Sequence, residues 1–211
     1  MTQVLRAQNK EQKNLIRAIL ENDIIIVKGC PGSGKTFLTS LFAAEKLAHN
    51  EIQKIIFSKP LVGTGKGFPP VPGDLEEKTL IYRYQQEIYF SDYFGAKEYK
   101  KRKEDNTIQF IPLELMRGIN LGKENEVHWC LLDEAQNAGT KELKCLFTRL
   151  GENAKIIVNG DTRQTDLKTG PDFDCDLDYV IDKIGHLDRV AVVELVQSFR
   201  NPLVTQIEKL L

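Results

Sequence analysis

Residues 22–50 read NDIIIVKGCPGSGKTFLTSLFAAEKLAHN. An apolar run from Ile24 to Val27 is followed by a glycine-rich turn. The segment after it carries Phe37, Leu38, Leu41, Phe42 and Leu47 at helical spacing. The turn fits G-x-x-x-x-G-K-[ST], with Gly29, Gly34, Lys35 and Thr36 in the fixed places. Glycines between a strand and a helix let successive backbone N–H groups converge on one point, and the helix adds its free N–H groups and positive dipole end. That concavity suits an anion, and the anion expected is the phosphate chain of a nucleotide. Lys35 would reach the β and γ phosphates, and the Thr36 hydroxyl would ligate the Mg²⁺ that bridges them. The candidate nucleotide-binding set is therefore Gly29, Cys30, Pro31, Gly32, Ser33, Gly34, Lys35, Thr36 and Phe37. An ordinary glycine-rich turn is the competing reading, and the flanking strand and helix speak against it.

Composition bounds the rest. A chain of 211 residues can bury its own core, and one domain over 1–211 is the expectation. Hydrophobic residues at 41% and charged residues at 28% exclude a disordered chain and a membrane-embedded one. No apolar run approaches the ~20 residues of a membrane span. The first ten residues, MTQVLRAQNK, lack the apolar core of a signal peptide, so a cytoplasmic location is expected. Cys30, Cys130, Cys145 and Cys175 lie far apart without C-x-x-C pairing, which predicts packed, reduced thiols rather than a zinc site or a disulfide framework. A formal net charge of -1 gives no global basic field, so nucleic-acid affinity would need a local patch.

Strand and helix patterns alternate along the chain. A helix is expected over 9–21, strands near 24–28, 54–58, 128–132, 155–159 and 190–194, and further helices near 35–48, 76–90, 140–149, 175–184 and 202–210. This order predicts an α/β fold with a mainly parallel sheet covered by helices on both faces, and ligands at the carboxyl ends of its strands. Two stretches break the rhythm. SKPLVGTGKGFPPVPGDLEEK, residues 58–78, holds Pro60, Pro69, Pro70 and Pro72 and reads as a long functional loop. The lysines and Arg102 within 96–106 read as a basic surface insertion or hairpin tip, with a nucleic-acid contact as the alternative.

VHWCLLDEAQNAG, residues 127–139, supplies what the phosphate loop needs. Its apolar run ends in Asp133 and Glu134, two carboxylates at the sheet edge. Asp133 is expected to hold the metal through water, and Glu134 to polarise the attacking water as general base. Alone, such a pair often caps a helix. Behind a phosphate loop it reads as chemistry. AKIIVNGD runs into GDTRQTDL, which would bring Asp161 and Gln164 to the same edge. The Gln164 amide can donate to a phosphate oxygen and accept from water, a sensor's capacity; a turn closed by Asp161 and Thr162 is the alternative. In VQSFRNPLV, Arg200 precedes a helix begun by Pro202 and could neutralise charge on the transferring phosphoryl group, within its own subunit or across to a neighbour. The catalytic set expected is Lys35, Glu134, Gln164 and Arg200, with Thr36 and Asp133 on the metal.

Taken in order, GCPGSGKT, KPLVGTGKGFPPVPGDLEEK, IPLELMRG, LLDEAQN, FTRLG, NGDTRQTDL and FRNPLV resemble the PhoH family of ATPases, relatives of the first motor domain of superfamily 1 helicases. The resemblance runs from about Gln12 to the C-terminus. It implies a three-layer, RecA-like P-loop NTPase fold that uses ATP and Mg²⁺. It also implies that Gln12 reads the adenine edge, that SKPLVGTGKGF faces nucleic acid, and that Arg200 reaches the γ phosphate. RNA is implied more than DNA as partner. The chain departs from the family at Lys59, where arginine is usual, and at Phe199, Arg200 and Asn201, where Val-Arg-His is usual; the guanidinium fork is lost at the first of these positions only. A second motor domain is not expected after the arginine-bearing segment, and one such domain cannot inchworm alone. The resemblance therefore implies a homo-oligomer, with a hexameric ring as the candidate assembly.

Overall fold

The computed structural model describes residues 7–61, 75–162, 176–201, 203, 204 and 207. Among these residues six strands form one sheet: β1 (Ile24–Gly29), β2 (Lys54–Ser58), β3 (Ile108–Phe110), β4 (His128–Leu132), β5 (Ala154–Gly160) and β6 (Val190–Leu195). Their order is β3-β2-β4-β5-β1-β6, and every neighbouring pair is parallel. The helices that accompany them are α1 (Lys10–Glu21), α2 (Lys35–Ala48), α3 (Leu75–Phe94), α4 (Ala96–Glu104), α5 (Thr140–Phe147) and α6 (Asp176–Ile184). Among the described residues no helix is long and apolar enough to cross a membrane.

Period two along the strands builds a core on each face. Ile25, Val27, Ile55, Phe57, Trp129, Leu131 and Ile157 face one cluster, shared with Leu15 and Ile19 of α1, Leu38 and Phe42 of α2 and Phe90 of α3. The alternate residues Ile26, Ile56, Cys130, Leu132, Ile156 and Val158 face the other, closed by Leu143 and Leu146 of α5 and Leu177 of α6. Each fully buried aliphatic or aromatic side chain contributes roughly 1.5–3 kcal/mol. This double layer is what forces a register on the sheet, because a slip of one residue would exchange the two faces.

The topology has a switch at β1. The chain leaves β1 through α2 on the first face toward β2, and leaves β5 through α6 on the second face toward β6 on the opposite side of β1. The connections diverge there, so the carboxyl ends of β1 and β5 open a crevice. With β5 between β1 and β4, the phosphate-type loop and the acidic pair stand one strand apart on a common rim.

Two features differ from expectation. β3 is a strand that the pattern did not signal, since Ile108–Phe110 is only three residues long. The stretch 96–106 is no hairpin tip but largely helix α4, whose basic residues are exposed or half-buried. Lys97, Lys100 and Lys101 are exposed, whereas Tyr99 is buried and its ring stacks on Phe90 at 6.3 Å between centroids. The Arg102 guanidinium lies 4.4 Å from the Phe94 ring centre and pairs with Glu98 at 3.0 Å. A basic helix can thus pack because its stems and one aromatic carry the apolar contact. The expected helix at 202–210 and the loop at 62–74 lie largely or wholly outside the described residues.

Phe90 is the centre of that packing, fully buried with Phe57 on one side at 5.7 Å and Tyr99 on the other. Phe90→Ala should lower the unfolding free energy by about 3–5 kcal/mol, read from urea unfolding, while Leu20→Ala, at an exposed position, should leave the midpoint in place.

Candidate active site

The loop between β1 and α2 wraps a cavity of about 390 Å³ lined by Pro31, Gly32, Gly34, Lys35, Thr36 and Phe37 on one side and by Asp133, Glu134, Gln136, Asn159, Gly160 and Asp161 on the other. Gln85 and Tyr89 of α3 and Arg200 complete the wall. Gly32 and Gly34 have φ of 74° and 83°, the left-handed region that favours glycine, which is how the chain turns tightly there. Gly29 is required for another reason: a Cβ there would fall 2.3 Å from the Leu195 carbonyl oxygen of β6.

The Lys35 ammonium donates to the carbonyls of Gly29 at 2.6 Å and Cys30 at 3.1 Å, so the loop's own oxygens hold it in the crevice. The Thr36 hydroxyl donates to Asp133 Oδ1 at 2.7 Å, joining the start of α2 to the end of β4 across 97 residues. Asn159 of β5 supports this from below, its amide donating to Thr39 Oγ1 at 2.9 Å, and Thr39 in turn donates to the Lys35 carbonyl. Asp133 extends the sheet, its N–H donating to the Ser58 carbonyl at 2.9 Å. Glu134 then turns out of the strand with φ of 53°, a conformation that costs a non-glycine residue about 1–3 kcal/mol and gathers at functional sites.

Burial acts on the charged groups of the cavity. Burial pushes the Lys35 amine below the usual lysine range, against the pull of Asp161 and Asp133. Burial likewise pushes the Asp133 carboxyl up; Lys59 opposes that shift and Glu134 adds to it. A half-buried cation and a buried carboxylate in one cavity, each driven toward its neutral form, fit a phosphate chain with a metal ion. The donors fit Mg²⁺, which takes oxygen ligands and keeps several waters. Ser33 Oγ, 1% exposed and without a hydrogen-bond partner among the described residues, adds an unused donor at the loop.

The segment after β6 straps the loop in place. Phe199 N–H donates to the Gly32 carbonyl at 3.0 Å, Ser198 Oγ to the Pro31 carbonyl at 3.2 Å, and Cys30 Sγ to the Val196 carbonyl at 3.2 Å. Arg200 consequently crosses Gly32 within the same chain, so close that a Cβ on Gly32 would lie 2.3 Å from Arg200 Cγ. Cys30 therefore turns its side chain away from the cavity, and its part in the loop is its carbonyl. Gln12 is buried against the loop from α1, its amide nitrogen 3.6 Å from where a Gly34 Cβ would stand, and its Oε1 accepts from Gln8 N–H at 2.7 Å. Phe37 meets Tyr89 edge to face at 5.3 Å. Gln164 lies outside the described residues. Sequence reasoning missed Gln85, Tyr89, Gln136 and Asn159 as cavity residues. Gln136 alone left a trace, standing two positions after the acidic pair's Glu134 in DEAQN.

An all-parallel sheet carrying this loop and acidic pair defines a P-loop NTPase. The sequence profile of the PhoH-like protein family matches residues 4–211, and the chain belongs to that family. It is 33% identical over 205 residues to a PhoH-like protein of Bacillus subtilis (strain 168), covering 96% of this chain and 62% of that protein. It is 35% identical over 171 residues to protein PhoH of Escherichia coli (strain K12), covering 80% of this chain and 47% of that protein. The chain thus spans between about half and three-fifths of the length of these relatives. Among solved structures, a large terminase from a thermophilic bacteriophage superposes with a TM-score of 0.57 at 13% identity, covering 97% of this chain and 50% of that one. The HK97 bacteriophage large terminase gives 0.50 at 16% identity, covering 90% of this chain and 39% of that one. At such identities the likeness is one of fold.

The raised Asp133 carboxyl has a consequence for stability. A carboxylate whose folded pKa exceeds its unfolded one destabilises the fold as pH rises from the unfolded value through the folded one, and the penalty is complete above it. Asp133→Asn keeps the acceptor for Thr36 without the charge. In thermal melts at neutral pH the variant should unfold at a higher temperature than the parent chain when nucleotide and metal are absent, and should lose the stabilisation that Mg²⁺ with ATP gives the parent.

Proposed function

We propose that the chain is a Mg²⁺-dependent ATPase whose turnover is coupled to binding or remodelling nucleic acid, RNA before DNA, in the manner of a helicase-like motor. The observation that carries the reading is the Thr36–Asp133 hydrogen bond, 2.7 Å long, with Lys35 in the same cavity. Phosphate loop and acidic pair meet there at one sheet rim.

The residues divide the work. The loop N–H groups and Lys35 bind and orient the β and γ phosphates, and Thr36, with Asp133 through water, would hold Mg²⁺, which supplies positive charge to the phosphate oxygens when bound. Glu134 accepts a proton from the attacking water. Arg200, beside Gly32, offers its guanidinium to charge that develops on the transferring group. Gln12 reads the base and Gln164 reports on the γ phosphate, roles that rest on the family resemblance, as does assembly into a homo-oligomeric ring. Nucleic acid as partner rests on the same resemblance, with Lys59 at the end of β2 leading into the segment expected to face it.

Hydrolysis of ATP measured with a panel of RNAs and single-stranded DNAs, beside the mass of the assembly with and without ATP, tests the reading. Turnover that nucleic acid raises supports a motor. Turnover unmoved by any of them, with no binding at low salt, would instead favour a slow nucleotide-dependent assembly switch. Lys35→Ala should weaken nucleotide binding. Glu134→Gln should keep binding and lose turnover by roughly two to four orders of magnitude. Because Arg200 serves its own chain's loop, mixing Arg200→Ala with Glu134→Gln protein should recover no activity, and recovery would place the arginine across an interface.

A further inference from the structure

Glu134 does not stand free at the cavity edge. Gln136 Nε2 donates to its Oε2 at 2.6 Å, and the Lys59 ammonium faces its Oε1 at 3.9 Å. The half-exposed lysine pair is weak, since water screens it. The glutamine contact is of another kind, because Gln136 is 4% exposed and its amide is oriented from behind. Its Oε1 accepts the Asp161 N–H at 3.0 Å, at the carboxyl end of β5. A backbone N–H can only donate, so the amide oxygen must face Asp161, and the NH₂ group must then face the carboxylate. The amide cannot be turned over without losing both bonds.

Room for this arrangement is built into β5. A Cβ at Gly160 would lie 3.4 Å from Gln136 Oε1, 3.4 Å from its backbone nitrogen and 2.4 Å from Leu177 Cδ2. Any larger residue would push α6 or the glutamine away. Gln136 itself rides on the short 3-10 turn Ala135–Asn137 that follows Glu134. One amide thus ties the left-handed Glu134, the end of β4 and the end of β5 into a single unit.

We infer that Gln136 is the positioning residue for Glu134, fixing the carboxylate by a hydrogen bond that is itself set by the Asp161 backbone, so that the placement of the base follows the end of β5. Resting on the ATPase reading above, the inference adds a route by which β5 governs turnover. The segment that begins at Asp161 leads to Gln164, the residue expected to report on the γ phosphate. A shift at that strand end would rotate the amide and carry the carboxylate with it. Lys59, at the end of β2, touches the same carboxylate from the other side.

The test compares the parent chain with Gln136→Met, which keeps the volume and loses both hydrogen bonds, and Gln136→Glu, which keeps the shape and replaces the donor by an acid. Binding of a fluorescent ATP analogue and far-ultraviolet circular dichroism establish that each variant is folded and loaded. Gln136→Met should bind the analogue as the parent does while kcat falls on the order of 100-fold, the scale of a misplaced reacting group. Gln136→Glu should likewise bind the analogue and lose kcat, because a second carboxylate repels the base where the amide donor held it. If the parent hydrolyses ATP and Gln136→Met matches it in kcat, the inference is overturned while the ATPase reading stands. Equal loss of binding and turnover in both variants would assign Gln136 a merely structural part and also overturn it. A parent chain that binds the analogue and never hydrolyses ATP would remove the ATPase reading itself, and the inference with it.

Discussion

One hydrogen bond organises this molecule: the Thr36 hydroxyl on Asp133. It closes a loop of the chain that runs from α2 through β2, α3, α4 and β3 to β4, and it can form only because β1, β5 and β4 are in parallel register with their carboxyl ends level. Val27 stands opposite Asn159, and Leu132 opposite Val158, so the residues that leave these strands emerge on one rim. The two apolar layers hold that register, since each strand commits alternate side chains to opposite faces. Stability and chemistry are joined at this point. The core makes the sheet, and the sheet decides which polar groups meet.

What meets there is charged and held against the cost of burial. Lys35 and Asp133 are both pushed by burial toward their neutral forms, and the protein answers with carbonyls and a hydroxyl as their close hydrogen-bond partners. A protein selected for stability alone would fill such a cavity with apolar side chains. Its retention, with the left-handed Glu134 and a Ser33 hydroxyl unpartnered among the described residues, marks a site completed by a ligand. Membership of the PhoH-like family agrees with a nucleotide as that ligand, and the Gln136 amide gives the site a mechanical link to the end of β5.

Much of this was legible in the residue order. Strong periodicity marked α1, α2 and five of the six strands to within a residue or two, and the G-x-x-x-x-G-K-[ST] pattern with the acidic pair located the cavity. The misses have physical reasons. Ile108–Phe110 is too short for alternation to register, and it forms a strand because Phe57 and its neighbours on β2 present an edge to pair with. The stretch at 96–106 looked solvated because its charges dominate the composition, yet one buried aromatic, Tyr99, and the stems of its basic residues suffice to dock it. Gln85 and Tyr89 reach the cavity from a helix remote in sequence, and no local pattern announces that. Gln136 and Asn159 are ordinary amides until the sheet order places β5 between β1 and β4.

A crystal structure of the chain with magnesium and a non-hydrolysable ATP analogue bears most directly on the account. The triphosphate is predicted to lie in the β1–α2 loop, with the metal ligated by Thr36 Oγ1 and joined to Asp133 through water, and with the γ phosphate facing Glu134. An analogue bound elsewhere on the chain, or a metal with no link to both Thr36 and Asp133, would contradict the account.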